Sequence, residues 1–258
     1  MIARRNGRVY ECVVVDLNTQ RDFCADGGAF PVRNQEALIP CLRKTMAWIK
    51  WNHVPVISSV QSHRLWEVPA NGRTVLCCID GTTGQRKVPF TLLPTRVWIE
   101  VDNTLGVPGD LFHGFQQVIF RKRTEDLLAN PKADRFLTQL HVDEFVLLGN
   151  GIECSVKALA LGLLARGKRV TVVVDACGFW DISTADLALR QIAARGARLI
   201  SIHDLALRRL DRRFRYPIHR NGHNGQSHSA PAGNGRELDI EDADLIDFQQ
   251  DPTIPELG

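Results

Sequence analysis

The stretch 145–176, FVLLGNGIECSVKALALGLLARGKRVTVVVDA, decides how this chain is read. Phe145, Val146, Leu147 and Leu148 form a short apolar run that reads as a buried strand. Gly149, Asn150 and Gly151 interrupt regular structure. From Glu153 onward Val156, Ala160, Leu163 and Leu164 recur at helical spacing until Gly167 closes the helix. A second β-branched run, 170–174, ends at Asp175. Strand, tight turn, helix, glycine stop and strand make a βαβ unit, whose two strands are parallel. In such units ligands sit at the carboxyl ends of the strands, where helix N-termini point. The turn GNGIECS, carrying Cys154 and Ser155, is therefore the first place to look for chemistry.

The same alternation extends in both directions. Residues 11–17 read as a first strand around Val13, Val14 and Val15. A helix follows from an Asn34 cap to about Lys50, with Leu38, Leu42, Met46 and Ile49 on one face. Pro40 falls in its first two turns, where proline costs least. Further strands are expected at 54–60, 96–101 and 117–121, and a helix at 131–140. Beyond the βαβ unit come a helix at 183–195 with Ser183 as cap and Gly196 as stop, a strand at 199–202 and a helix at 204–213. Residues 61–95 show no period; CCIDGTTGQRK and the prolines around FTLLP suggest a long structured loop over the site. The alternation predicts an α/β protein: a three-layer α/β/α, Rossmann-like arrangement with a mainly parallel sheet of about six strands. The domain is expected over 1–215. Residues 216–258, rich in Gly, Asn, Ser and acids, read as a disordered acidic tail.

At 258 residues and 44% hydrophobic, the chain can bury one sizeable core. No apolar run approaches the ~20 residues that span a bilayer. The basic start MIARRNGRVYEC runs into a strand without a signal-peptide core, so a cytoplasmic protein with no membrane partner is expected. The seven cysteines are odd in number and form no CxxC pair, which suits reduced, buried thiols. Cys77 and Cys78 are adjacent but lack a second pair at zinc-ligand spacing. Net charge is +3, yet 237–258 holds eight acids and no base, leaving +11 elsewhere. Five arginines crowd 208–215. Without a nucleic-acid motif they read as a solvated helix end, so a small molecule rather than nucleic acid is the expected partner.

Three polar groups fall where strands end. Asp16, Asn18, Gln20 and Asp22 follow the first strand, Lys122 follows the strand at 117–121, and Glu153, Cys154 and Ser155 occupy the turn. Parallel strands bring these ends to one edge. An acid, a lysine and a nucleophile at a helix start would make an activated nucleophile.

Over residues 10–205 the chain resembles the isochorismatase-like hydrolases, which include nicotinamidases and related cysteine amidohydrolases. The resemblance rests on VVVDLNTQRDFC, then GGAFPV and a helix containing Ile39-Pro40. It continues through the loop CCIDGTTGQ, Lys122 with Leu128 six places on, and the turn at 149–155 with a glycine twelve residues beyond its nucleophile position. It implies an Asp–Lys–Cys triad in which Asp and Lys activate a thiol that attacks an amide or similar carbonyl. A non-proline cis peptide before the nucleophile would help form an oxyanion hole at Gly151 and the nucleophile residue. Homo-oligomers are common among such relatives, and no cofactor is implied.

Two triad positions depart from that pattern. Twelve back from Gly167, and six beyond Gly149, stands Ser155; Cys154 precedes it. Five back from Phe23 stands Asn18, and Asp16 fills the acid's place only if two residues are inserted after it. Lys122 alone matches cleanly. A serine hydroxyl needs a stronger base than a thiol, and asparagine accepts no proton. A one-residue slip would present Cys154 with Asp16 instead, at the cost of a ~100° rotation about the helix. Relatives that lack the cysteine and hydrolyse a vinyl ether use the Asp as acid, which Asn18 also undercuts. The remaining option is a family member that keeps the pocket as a small-molecule binder or interaction scaffold without the reaction.

Nicotinamidases hold zinc with an Asp-x-His and a second His. Here SSVQSHRLW offers Gln61 and His63, so no metal is expected. Gln20, Phe23, His63 and Glu153 are expected around the pocket. Trp48 and Trp51 should pack on a helix face, and Trp66, Phe112 and Trp180 should seal the site more than line it. Asp175 reads equally as a loop cap or a substrate contact.

Overall fold

Seven runs rich in Val, Ile, Leu and Phe become seven strands: β1 (Tyr10–Leu17), β2 (Val56–Gln61), β3 (Arg96–Ile99), β4 (Gln117–Lys122), β5 (Val142–Asn150), β6 (Val170–Gly178) and β7 (Arg198–Ile200). They form one sheet in the order β3-β4-β2-β1-β5-β6-β7, and every pairing is parallel. The expected parallel α/β sheet is present, with seven strands instead of about six. This computed structural model describes residues 10–64, 76–101, 106–107, 111–208 and 210, all within one unit, Met1–Ile218.

Parallel strands are buried on both faces, and the side-chain alternation of β1 shows how the layers are filled. Val13, Val15 and Leu17 join a core with Phe120, Phe145 and Leu147, covered by α3 (Pro131–Gln139), α4 (Lys157–Ala165) and α5 (Ile182–Ala194). Cys12 and Val14 face a second core with Val56, Val146 and Leu148, covered by α2 (Gln35–Asn52) and α6 (Ile202–Ala206). Each buried aliphatic side chain contributes roughly 1.5–3 kcal/mol. A single turn, α1 (Arg21–Cys24), follows β1. Among the described residues no helix is long and apolar enough to cross a membrane.

Several element ends differ from expectation, and each for a local reason. β5 continues through Gly149 and Asn150 instead of breaking before them, because Gly149 takes φ +107° and lets the β1 backbone come close. A Cβ there would stand 2.1 Å from the Leu17 carbonyl oxygen. β6 runs on to Gly178, past a register shift against β5 between Leu147 and Gly149. The cap of α5 is Asp181, whose Oδ1 accepts from the Thr184 N–H at 2.7 Å, so the helix begins before Ser183. Asn34 precedes α2 but does not cap it. Its amide instead donates to the Cys177 carbonyl at 3.0 Å and accepts from the Phe179 N–H at 3.1 Å, tying α2 to the end of β6. α6 is shorter than the expected 204–213. Trp48 packs as expected, but Trp51 is 79% exposed. Most of the arginine cluster and all of the acidic tail lie outside the described residues.

Gly149→Ala should lower the urea midpoint of unfolding by an amount equivalent to more than about 2 kcal/mol, since the methyl group meets backbone and the φ is unfavourable. An unchanged midpoint would contradict the close β1–β5 approach.

Candidate functional site

Strand order reverses at β1: the sheet extends outward through β2, β4 and β3 on one side and through β5, β6 and β7 on the other. The crevice at such a switch point, beyond the carboxyl ends, is where open α/β sheets hold ligands. Leu17 pairs with both Ser59 and Gly149, and Gln61 pairs with Lys122. The residues just past these pairs therefore meet.

Asn18 leaves β1 in the left-handed region, φ +51°, a conformation that asparagine tolerates better than most residues. Its Nδ2 donates to Ser155 Oγ at 3.0 Å, and the Ser59 hydroxyl donates to its Oδ1 at 2.9 Å, which fixes the amide's orientation. Lys122 Nζ lies 3.2 Å from the same Ser155 oxygen and donates to the carbonyls of Thr124 at 2.9 Å and Glu125 at 2.8 Å. Asn18, Lys122 and Ser155 are each only 1% exposed. Burial lowers the Lys122 ammonium to about 8, against the opposing influence of Cys154, Glu125, Asp126 and Cys78.

Ser155 sits in a π-helical turn, Ile152–Val156, that opens α4. Gly151 enters it at φ +87°, and a Cβ there would stand 2.4 Å from Cys154 Sγ. The Cys154 sulfur thus lies over Gly151, while the seat facing Lys122 and Asn18 belongs to Ser155. Burial pushes the Cys154 thiol up to about 11, which keeps it protonated near neutrality. The one-residue slip is not what the turn adopts. Nor does the turn contain a cis peptide; among the described residues every peptide bond is trans. The Gly151 N–H expected at an oxyanion hole donates to the Gly178 carbonyl at 3.1 Å.

Asp16 does not join this group. Its carboxylate is fully buried and takes Lys87 Nζ at 2.8 Å, Thr19 Oγ1 at 2.8 Å and Ser58 Oγ at 3.1 Å. The sequence pattern does not single out Lys87, although a lysine beside apolar Val88 and Pro89 signals a buried cation that needs a partner. It does not single out Ser59 either.

The other pocket candidates hold backbone. Gln20 donates to the carbonyls of Gln61 and Gln85, both at 2.8 Å, and accepts from the Gln61 N–H at 2.7 Å. Asp22 accepts from the N–H groups of Ala29 at 3.1 Å and Cys78 at 2.5 Å, securing the loop at 76–84. Glu153 Oε1 accepts from Trp180 at 2.7 Å and Asp181 at 3.1 Å. Trp180 stacks on Phe30 at 4.9 Å and meets the edge of buried Phe23 at 5.4 Å, beside Gly151. Phe112 belongs to the core with Tyr10 and Phe136. Asp175 caps α6 through the Ile202 N–H at 2.8 Å, and Trp66 lies outside the described residues. A cavity of about 580 Å³, lined by Ile49, His53, Leu92 and Arg96 among others, opens at the amino edge of the sheet, away from Ser155.

A zinc site of the nicotinamidase kind does not fit the residues present. Gln61 Nε2 lies 2.8 Å from His63 Nε2, so a neutral amide engages the ring where a carboxylate ligand would stand. Among the described residues no group of three or more His, Cys, Asp or Glu side chains is placed to hold a metal.

Comparison with known proteins gives a consistent picture. The isochorismatase domain model matches residues 12–204. A nicotinamidase of Escherichia coli (strain K12) is 26% identical over 210 residues, covering 74% of this chain and 94% of the relative. A nicotinamidase structure from Bacillus subtilis superposes with a TM-score of 0.59 at 16% identity, covering 74% of this chain and 99% of that one. The pyrazinamidase of Pyrococcus horikoshii, solved in complex with zinc, gives 0.56 at 20% identity, over 74% and 99%.

The lowered Lys122 value sets a pH dependence. Between about 8 and the ordinary 10.5 the unfolded chain holds a proton that the folded chain has lost, so this group makes stability rise with pH across that window. The unfolding free energy of the native chain minus that of Lys122→Met should grow by up to roughly 3 kcal/mol over it. A flat difference in urea titrations would show that the lysine titrates normally.

Proposed function

This chain belongs to the isochorismatase family, and from that premise we propose that it is a family hydrolase acting on a small amide or related carbonyl compound through an altered triad. Asn18, Lys122 and Ser155 stand where the family resemblance expects aspartate, lysine and cysteine. The observation that carries the reading is their meeting: two donors from separate strand ends, 3.0 and 3.2 Å away, converge on one buried hydroxyl oxygen. A buried lysine costs stability, and a serine and an asparagine gathered around it form a nucleophile site rather than a packing solution.

A second reading, a binder that has kept the crevice and lost the reaction, is favoured by one fact. The carboxylate of Asp16, two residues before Asn18, is committed to Lys87. The two readings separate on incubating the full chain with nicotinamide and a panel of simple carboxamides. Hydrolysis that falls at least about a hundredfold in Lys122→Ala supports the hydrolase. Saturable heat of binding to a panel member without any hydrolysis supports the binder.

A further inference from the structure

We propose that Ser155 and Lys122 form a serine–lysine acyl-transfer centre, with Lys122 acting as an uncharged amine that accepts the serine proton and Asn18 as the donor that holds the resulting alkoxide. The inference rests on the hydrolase reading and gives it a nucleophile and a base.

Counting donors carries the argument. Beyond its bond to Cε, the lysine nitrogen has three directions. Two run to the Thr124 and Glu125 carbonyls, at 2.9 and 2.8 Å, which only accept, so both must carry N–H. The third runs to Ser155 Oγ, at 3.2 Å, which can accept or donate. One geometry therefore satisfies both protonation states. As ammonium, Lys122 donates three times; as amine, it donates twice and takes the hydroxyl proton on its lone pair. Asn18 Nδ2, aimed by Ser59, donates to Oγ in either state. The proton can cross from Oγ to Nζ without any side chain moving.

Among the described residues no carboxylate bonds to Nζ to lock it as ammonium. The titratable groups facing it are Cys154, Glu125, Asp126 and Cys78. Glu125 offers its backbone carbonyl, and the Asp126 carboxylate accepts from the Leu128 N–H at 2.9 Å. With the ammonium lowered to about 8 by burial, a tenth or so of the protein holds the amine at neutral pH, within the range useful for a general base. Cys154 is the worse placed of the two: its sulfur lies over Gly151, whereas Asn18 and Lys122 both reach Ser155 Oγ.

The reaction balances with water as the only co-reactant. Ser155 Oγ bonds to the carbonyl carbon of a small carboxamide or ester while its proton passes to Nζ. The ammonium returns that proton to the leaving amine or alkoxide as its bond to carbon breaks, leaving an ester on Ser155. Water then gives its proton to Nζ and its oxygen to the acyl carbon. The acid departs, and Nζ returns the proton to Oγ.

A fluorophosphonate ester tests this, since it forms an Oγ–P bond and expels fluoride. The full chain is labelled from about pH 6 to about pH 10 and the adduct located by peptide mass mapping. The adduct is expected on Ser155, at a rate rising about tenfold per pH unit and levelling near about 8. Lys122→Arg, which keeps the charge but cannot release a proton, should react at least about a hundredfold more slowly. Asn18→Asp should move the midpoint upward by about one pH unit, because an added carboxylate beside the shared Ser155 oxygen favours the ammonium. An adduct on Cys154, a rate indifferent to pH, or Lys122→Arg reacting as fast as the native chain would overturn the proposal. Carboxamide turnover that survives Ser155→Ala would remove the dyad and leave the hydrolase reading standing. Labelling of Ser155 with the stated profile, but no turnover of any carboxamide, would support the dyad and remove the amide substrate.

Discussion

The close pairing of β1 with β5 is the constraint on which the site depends. β1 occupies the centre of the sheet, between β2 and β5, so its last residues touch both flanks. That contact requires Gly149, whose missing side chain leaves room for the Leu17 carbonyl. With the two backbones together, the Asn150 side chain donates to the Asn18 carbonyl at 2.8 Å, and Asn18 reaches across to Ser155. On the other flank, β2 supplies Ser59 to orient the Asn18 amide, and β4, paired to β2, brings Lys122. Three strand ends and one turn are held in register by backbone pairing before any side chain is considered.

Around this meeting point, polar groups that resemble site residues hold the walls. Buried amides and carboxylates are costly unless bonded, and here they are bonded to loop backbone. Gln20 ties the end of β2 at Gln61 to Gln85 in the loop that follows, Asp22 grips the turn through Cys78, and Glu153 grips the start of α5. Asp16 and Lys87 neutralise each other beneath them, with Thr19 and Ser58 completing the carboxylate's bonds. Such a buried pair adds little net stability, but losing one partner leaves a charge stranded, typically at 3–5 kcal/mol. Its effect is to fasten the 87–93 segment to β1.

How much of this is legible in the sequence follows from the range of the forces involved. The βαβ unit at 145–176 was readable because apolar periodicity and Gly167 are local signals. That Asn18 and Ser155 lie at strand ends that meet is legible too, because parallel strands bring their carboxyl ends to one edge. Element ends were not: Asp181 displaces Ser183 as a cap, and Asn34 bonds to β6 instead of its own helix, through partners about 145 residues away in the chain. The destination of Asp16 was hidden for the same reason. Its partner Lys87 lies 71 residues on, in a loop with no period, and only the folded sheet brings the two together. Glu153 looked like a pocket residue because its place in the turn is local, whereas the N–H groups it serves belong to the loop after β6.

Under the proposed serine–lysine reading, the two departures from the family resemblance make physical sense as a pair. A thiol near a lysine ammonium ionises readily, and a nearby carboxylate helps to keep the lysine charged. A hydroxyl, far less acidic, gains nothing from an ammonium that is already fully protonated; it needs a neutral amine. Replacing the carboxylate by Asn18 removes the charge that would hold Lys122 protonated, and the lysine's deep burial then works toward the amine. The same amide gives Ser155 a hydrogen-bond donor where a carboxylate would have repelled an alkoxide. Either substitution alone leaves a mismatched centre, a serine beside a locked ammonium or a thiol without its acid. Together, in the proposed dyad, Asn18 and Ser155 match the proton that an uncharged Lys122 would accept.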